Sequence, residues 1–99
     1  MNAQQIERNY KECRDRLLAA GFVETNRLMD RVRPVFECGY VVVDLSGTES
    51  RIFVKNHDGN LGLAIARRVT PRGTRGLVDR AIVASRRFQR RRTGMPGHF

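Results

Sequence analysis

The arginines of the C-terminal third are the residues of this sequence best suited to chemistry. Ten arginines and one acid, Asp79, lie between Arg67 and Arg92, whereas residues 1–66 carry nine basic and nine acidic side chains. The whole formal net charge of +9 therefore arises in about a quarter of the chain. A guanidinium is permanently charged, and its planar fork of N–H donors binds phosphate or carboxylate with two parallel hydrogen bonds. The clustering predicts an anionic partner.

Nine of these arginines are the predicted partner-binding residues. Two end a predicted strand, two lie in the loop after it, and the others line a predicted helix. A helix face that is merely solvated usually mixes charges of both signs, whereas these like charges repel one another unless a partner compensates them. The nine residues are Arg67, Arg68, Arg72, Arg75, Arg80, Arg86, Arg87, Arg90 and Arg91.

Side chains that read bases are scarce around this cluster. Gln89 and Ser85 are the only amide and hydroxyl side chains of the predicted helix, and Ser85 falls on its apolar side. The candidates for stacking on single-stranded bases are Tyr40, Phe53 and Phe99. The composition therefore favours contacts to the phosphate backbone over base readout.

Enzymatic motifs are missing from the sequence. Its two histidines, His57 and His98, fall in a predicted turn and in the C-terminal tail, and no nucleophile-elbow, P-loop, dinucleotide-binding or zinc-protease motif is present. Cys13 and Cys38 have no metal-binding spacing, and we expect both to be reduced. The sequence predicts a non-enzymatic protein with no catalytic residue, no cofactor and no metal ion.

An amphipathic helix is predicted over Ala3 to Ala20. Ile6, Tyr10, Cys13 and Leu17 form one continuous apolar stripe, and Gly21 follows as a C-cap. Residues 22–34 fit either a short helix or an early strand.

The middle of the chain reads as β-structure. One strand is predicted over 35–45 with a bulge at Gly39, a second over 51–55, and a third over 61–66 with Leu61, Leu63 and Ile65 pointing inward. Asp58-Gly59 predicts the hairpin between the second and third strands. A Gly/Arg loop over 70–76 then leads to a second helix from about Arg75 to Arg91, which either Pro71 or Thr74 could open.

These elements predict a two-layer α+β fold in the order α-β-β-β-α, with a three-stranded antiparallel meander backed by two helices. Residues 1–92 form the single domain, and residues 93–99 form a flexible tail. No stretch is long and apolar enough to span a membrane, and no signal peptide is recognisable, so a cytoplasmic location is expected.

The order of elements resembles that of double-stranded-RNA-binding domains, whose second helix begins with a basic cluster that contacts phosphates. Arg72 and Arg75 to Arg80 lie at the corresponding place. The sequence departs from the family where Ser46 to Glu49 replaces a histidine-bearing loop, and the family's Lys-Lys-x-Ala-Lys signature is absent. The resemblance is limited to the order of elements.

Two kinds of partner fit the arginine cluster. The first is a nucleic acid, DNA or RNA, bound through its backbone. The second is an acidic protein surface, bound in the manner of small phage or mobile-element inhibitors such as anti-CRISPR proteins. A role as a subunit of a larger assembly also remains open, and a homodimer could form through an edge strand or the strip Gly62, Ala64 and Ala66.

Overall fold

The chain folds into one antiparallel sheet covered by two helices. The structure, a computed structural model, describes residues 2–26, 33–45 and 48–93, with side chains as far as residue 87. The elements in chain order are α1 (Ala3–Ala19), β1 (Val23–Thr25), β2 (Val35–Cys38), β3 (Val41–Asp44), β4 (Glu49–Lys55), β5 (Leu61–Arg68) and α2 (Pro71–Thr93).

Helix α1 begins at a capping box and ends at a glycine. The Gln5 backbone N–H donates to the Asn2 side chain at 2.8 Å, and the Asn2 backbone N–H donates to the Gln5 side chain at 3.0 Å. These two bonds satisfy donors that the first turn cannot pair internally. Gly21 follows the helix with a φ of +99°, a conformation that favours glycine.

The α+β class, the strand meander and the two helices are confirmed, but the sheet has five strands in the order β1-β2-β3-β4-β5 instead of three. The predicted strand over 35–45 is a hairpin, because Cys38 pairs with Val41 and leaves Gly39 and Tyr40 as a two-residue loop. Gly39 has a φ of +60°, and Tyr40 has no positive φ, as in a type II′ turn. The predicted bulge at Gly39 is therefore wrong.

The fifth strand, β1, comes from the region that the sequence left open. Val23 pairs with Glu37 and Thr25 with Val35, so three residues after the helix add an edge to β2. The element order α-β-β-β-β-β-α consequently differs from that of double-stranded-RNA-binding domains. The remaining alternatives within 27–32, and the predicted tail beyond Thr93, lie outside the described residues.

Both helices pack on one face of the sheet. Phe36, Val43 and Ile52 lie in one row across the paired strands and contact the buried side chains of the helices. The stripe of α1 is partly as predicted, because Cys13 and Leu17 are buried and Tyr10 is half-buried, whereas Ile6 is exposed. The helical residues of the core are Cys13, Leu17, Leu77, Val78, Ala81 and Ile82.

The sheet's other face holds the buried carboxylate of Glu37, which is both hydrogen-bonded and ion-paired. Glu37 accepts a hydrogen bond from the Thr25 hydroxyl, and its second oxygen lies 3.0 Å from the Lys55 ammonium. The three side chains come from β1, β2 and β4, so the cluster ties together strands that are not all neighbours. A buried charge needs such pairing to offset the loss of its hydration.

A bulge changes which side chains of β5 face the core. Ile65 pairs with Ile52 and Leu63 with Phe53, so Ala64 has no partner in β4. Because one extra residue shifts the alternation, Leu63 lies on the face opposite Ile65 and is 59% exposed. Leu61, which pairs with Lys55, lies on the same face as Leu63, so the prediction that Leu61 and Leu63 point inward is wrong for this reason.

Helix α2 begins at Pro71, one of the two residues predicted as its possible start and four residues before the predicted first residue, Arg75. The Thr70 hydroxyl accepts the Gly73 N–H at 3.0 Å, and the Thr70 carbonyl accepts the Thr74 N–H at 3.0 Å. Pro71 occupies the first helical position, where its missing N–H costs nothing. The Gly/Arg segment predicted as a loop is therefore the first turn and a half of α2, with Arg72 and Arg75 on the helix itself.

None of the helices in the described ranges combines the length and the apolar character that crossing a bilayer requires.

Candidate functional site

The arginines of α2 are exposed and unpaired over the part of the helix whose side chains are described. Arg72, Arg75, Arg80, Arg86 and Arg87 are all exposed. Of the ion pairs among the described residues, none joins one of these five to a carboxylate. Their guanidinium groups are therefore available to an external anion.

Asp79, the one acidic residue between Arg67 and Arg92, is already ion-paired. Asp79, on α2, accepts a hydrogen bond from the guanidinium of Arg16, on α1. The pair joins the two helices across their exposed edge. Because Asp79 is paired with a cation of α1, it does not bind any described arginine of α2, and Arg16 brings a further guanidinium to the same surface.

A cleft between the two helices adds a second arginine from α1. The helices run side by side in the same direction, since the first half of α1 borders the start of α2 and its last turn borders Arg86. Arg8 and Arg75 line one end of this cleft together with Glu12. The residues that line the α1–α2 cleft are Gln5, Arg8, Asn9, Glu12, Arg16, Ala19, Ala20, Pro71, Arg75, Asp79, Ile82, Val83 and Arg86.

Arg8 and Arg16 are site residues that the sequence reasoning missed. Charges of both signs cover the surface of α1, a pattern typical of a solvated helix. The available signal was the spacing of Arg8, Glu12 and Arg16, four residues apart, which places them on one side of the helix. Only the packing of α2 against that side makes the two arginines part of the basic surface.

The predicted residues Arg67 and Arg68 do not lie together. Arg67 pairs with Ser50, whose hydroxyl lies 3.4 Å from the Thr74 hydroxyl of α2, so Arg67 is on the helix-bearing face. Arg68 pairs with Glu49 and lies on the opposite face, because successive residues of a strand alternate. Only Arg67 can extend the surface of α2, and its guanidinium donates to the Ala66 carbonyl at 2.9 Å.

The side chains of the other two predicted residues, Arg90 and Arg91, lie outside the described part of the structure. Their backbone belongs to α2. The surface described here, called the arginine surface below, consists of Arg8, Arg16, Arg72, Arg75, Arg80, Arg86 and Arg87.

The neighbourhood of the cleft offers little for covalent or metal chemistry. Cys13 lies on the buried side of α1, and burial raises the pKa of its thiol, although Arg16 and Arg75 oppose this effect. A raised pKa keeps the thiol protonated and unreactive. Among the residues that the structure describes, no group of three His, Cys, Asp or Glu side chains is placed to hold a metal ion. The arrangement is suited to binding an anion through charge and hydrogen bonds.

Comparisons with protein families, with characterised proteins and with solved structures find no match to this chain.

Proposed function

We propose that this protein binds the phosphate backbone of nucleic acid through its arginine surface and carries out no catalysis. The observation that carries the proposal is the absence of internal partners for the exposed arginines of α2 up to residue 87. Like charges held on one helix repel one another, which destabilises the folded chain unless an external anion compensates. A row of phosphates supplies such compensation at several positions at once.

The choice of side chain supports the same proposal. Arginine outnumbers lysine by 17 to 2 in the chain, and a guanidinium matches the geometry of two phosphate oxygens. Among the described residues of α2, the exposed face carries no asparagine or glutamine that would read base edges. Binding through charge and shape, with little dependence on base sequence, is what this composition favours.

Titration of a fluorescent 20-base-pair duplex and of a single strand, followed by anisotropy at several salt concentrations, tests the proposal. If about five arginines contact duplex phosphates, log K should fall with log salt at a slope of about −4.5. No binding at about 50 mM salt would contradict the proposal, because the electrostatic attraction is strongest at low ionic strength.

A pair of double variants separates the arginine surface from net charge. Replacing Arg80 and Arg87 with glutamine should weaken binding at least about tenfold and make the salt slope shallower by about 1.8. The control replaces Lys11 and Arg14, which do not line the cleft, and removes the same charge. Equal losses in the two double variants would show that overall charge, and not this surface, is responsible.

A second candidate function is inhibition of another protein by docking on its acidic surface. The lining of the α1–α2 cleft favours it, since the apolar residues Ala19, Ala20 and Val83 line the same end of the cleft as Arg16 and Arg86. Apolar residues beside cations suit an acidic peptide that also carries an apolar residue. Retention of a protein partner from a nuclease-treated host lysate, lost in the variant with Arg16 and Arg86 replaced by glutamate, would support this function over the first.

A further inference from the structure

The exposed face of α2 consists of two charged lines with an uncharged line between them. Two helical turns contain 7.2 residues, so residues seven apart lie on nearly the same line along the helix. One outer line contains Arg72, Asp79 and Arg86, and the other contains Arg80 and Arg87. The middle line, as far as the side chains are described, contains Gly76 and Val83, and all seven residues are exposed.

The outer lines are both positive in effect. Asp79 interrupts the first line, but its carboxylate is bound by Arg16, which places a guanidinium at the same level of the helix. The first line therefore presents two unpaired cations, Arg72 and Arg86, about 21 Å apart on either side of the Arg16–Asp79 pair, and the second line presents Arg80 and Arg87 about 10 Å apart. The spacing lets each line follow a separate row of phosphates.

Gly76 has no evident role in holding the fold together. A Cβ at Gly76 would meet no atom within 4 Å, whereas a Cβ at Gly73 would meet the Thr70 hydroxyl at 2.7 Å and the Arg68 carbonyl at 3.3 Å. The fold thus requires glycine at 73 but not at 76, although glycine inside a helix is less stable than alanine. A hollow of about 490 Å³ lies beside Gly76 and is bordered by Arg72 and Arg75.

Val83 is the second unusual residue of the middle line. Its side chain is 49% exposed, and it lies between Arg80 and Arg87 on one side and Arg86 on the other. Because half of this apolar side chain is exposed to water, it adds little to the stability of the fold. Together, Gly76 and Val83 give the middle line a low, uncharged surface over which another molecule can approach the backbone of α2 closely.

We infer that the nucleic acid is duplex DNA and that α2 lies along its major groove. The inference rests on the proposed function and specifies its partner. The middle line faces the base edges, where the Val83 methyl groups can contact thymine methyl groups, and the two outer lines face the phosphates of the two strands. Gly76 lies where the helix backbone comes nearest to the DNA.

The dimensions of the groove favour DNA over RNA. The major groove of B-form DNA is about 12 Å wide and accepts a helix whose diameter with side chains is about 10–12 Å. The major groove of A-form RNA is too deep and narrow for side chains to read, so a helix cannot lie in it. A single strand has no groove and cannot engage both arginine lines at once.

Three nucleic acids of one sequence test the inference at a single salt concentration: duplex DNA, duplex RNA and single-stranded DNA. We expect duplex DNA to bind at least about tenfold more tightly than duplex RNA. Bound protein should protect guanine N7, in the major groove, from dimethyl sulfate, and the minor-groove ligand distamycin should not displace it. Equal affinity for duplex RNA, unprotected N7 or displacement by distamycin would each overturn the inference and leave the proposed function standing.

Failure of the proposed function has a different signature. In that case none of the three nucleic acids binds at about 50 mM salt, where electrostatic attraction is strong. This result would overturn both proposals and favour the acidic protein surface as the partner.

Two substitutions in the middle line test the contact itself. Gly76→Ala should raise the melting temperature by about 4 °C, because alanine favours the helix, and yet weaken duplex DNA binding about threefold or more. Val83→Glu should weaken binding at least about tenfold, and Leu18→Glu, at an exposed apolar position of α1 outside the cleft, is the charge-matched control. Unchanged DNA affinity in a more stable Gly76→Ala protein would contradict the close approach of DNA to this line.

Discussion

The carboxylate of Asp79 and the guanidinium of Arg16 form an ion pair that joins α2 to α1 at the exposed edge of their interface. Both side chains are about half exposed, so the pair adds little to the stability of the fold. Its larger effect is on the local field. It cancels the charge of the only acid among the arginines of the C-terminal third, and the guanidinium of Arg16 is engaged in doing so.

The first prediction concerns this pair. Asp79→Asn should tighten nucleic-acid binding several-fold at low salt, because it removes a charge that repels phosphate and leaves Arg16 free to contact one. The salt slope should become steeper by about 0.9, while unfolding free energy changes by less than about 1 kcal/mol. Asp15→Asn is the matched control, since Asp15 pairs with Arg14 at 3.0 Å and does not line the cleft. Weaker binding by the Asp79 variant would contradict the prediction.

A second prediction concerns pH. The Arg33 guanidinium donates a hydrogen bond to Glu7 and holds the pKa of that carboxyl below its ordinary value. Because the folded pKa is lowered, the stability from this pair is fully present above the unfolded pKa of about 4.3 and is lost as pH falls through the folded pKa.

Arg33→Gln should therefore return the Glu7 pKa toward its ordinary value and reduce the acid-induced loss of stability. Carboxyl ¹³C NMR titration measures the pKa, and urea unfolding at several pH values measures the stability. Arg8→Gln serves as the control, because Arg8 is not among the groups that shift this pKa. A Glu7 pKa that is the same with and without Arg33 would refute the assignment.

The third prediction concerns Cys13. Burial raises the pKa of its thiol, so the thiol stays protonated and is shielded from reagents in the folded chain. In a Cys38→Ser protein, reaction with Ellman's reagent at pH 8 should be at least about a hundredfold slower than in concentrated urea. Because the folded pKa is raised, Cys13 should also make the fold less stable as pH rises above about 8.5. Equal rates in the two states would mean that the thiol is accessible.

The fourth prediction concerns the turn between β2 and β3. Gly39 has a φ of +60°, and a Cβ added there would meet no atom within 4 Å. Gly39→Ala should therefore destabilise the fold by about 1–2 kcal/mol through backbone strain alone. Gly62→Ala, at an extended position of β5 where a Cβ is accommodated, is the control for urea unfolding. Unchanged stability in the Gly39 variant would exclude the left-handed conformation.

Local signals predicted much of the fold. The capped helix α1, the hairpin with Asp58-Gly59 at its turn and the buried side of α2 each depend on residues close together in sequence. The hairpin of β2 and β3 could not be predicted, because residues 35–45 are apolar almost throughout. Only the backbone conformation of Gly39 separates the two strands. The bulge at Ala64 was hidden because the plain alternation of β5 looks regular until it is paired with β4.

The site was predictable to the extent that it lies on one helix. The apolar side of α2 fixed where Arg80, Arg86 and Arg87 point, and all three are exposed as expected. The contribution of Arg8 and Arg16 depends on how α1 packs beside α2, which no local pattern encodes. For the same reason, the sequence could not indicate that Arg67 and Arg68 diverge or that Asp79 pairs with Arg16.

The cap at Thr70 sets the rotation of every side chain that follows it on α2. A residue inserted before Thr70 would lengthen the connection from β5 and leave the helix in phase with its buried side. A residue inserted between Gly73 and Leu77 would turn all later side chains by about 100° relative to the first turn. The core would then have to exclude Leu77 and Val78 or carry arginines inward. The fold therefore tolerates an inserted residue before Thr70 but loses its core packing when a residue is inserted between Gly73 and Leu77.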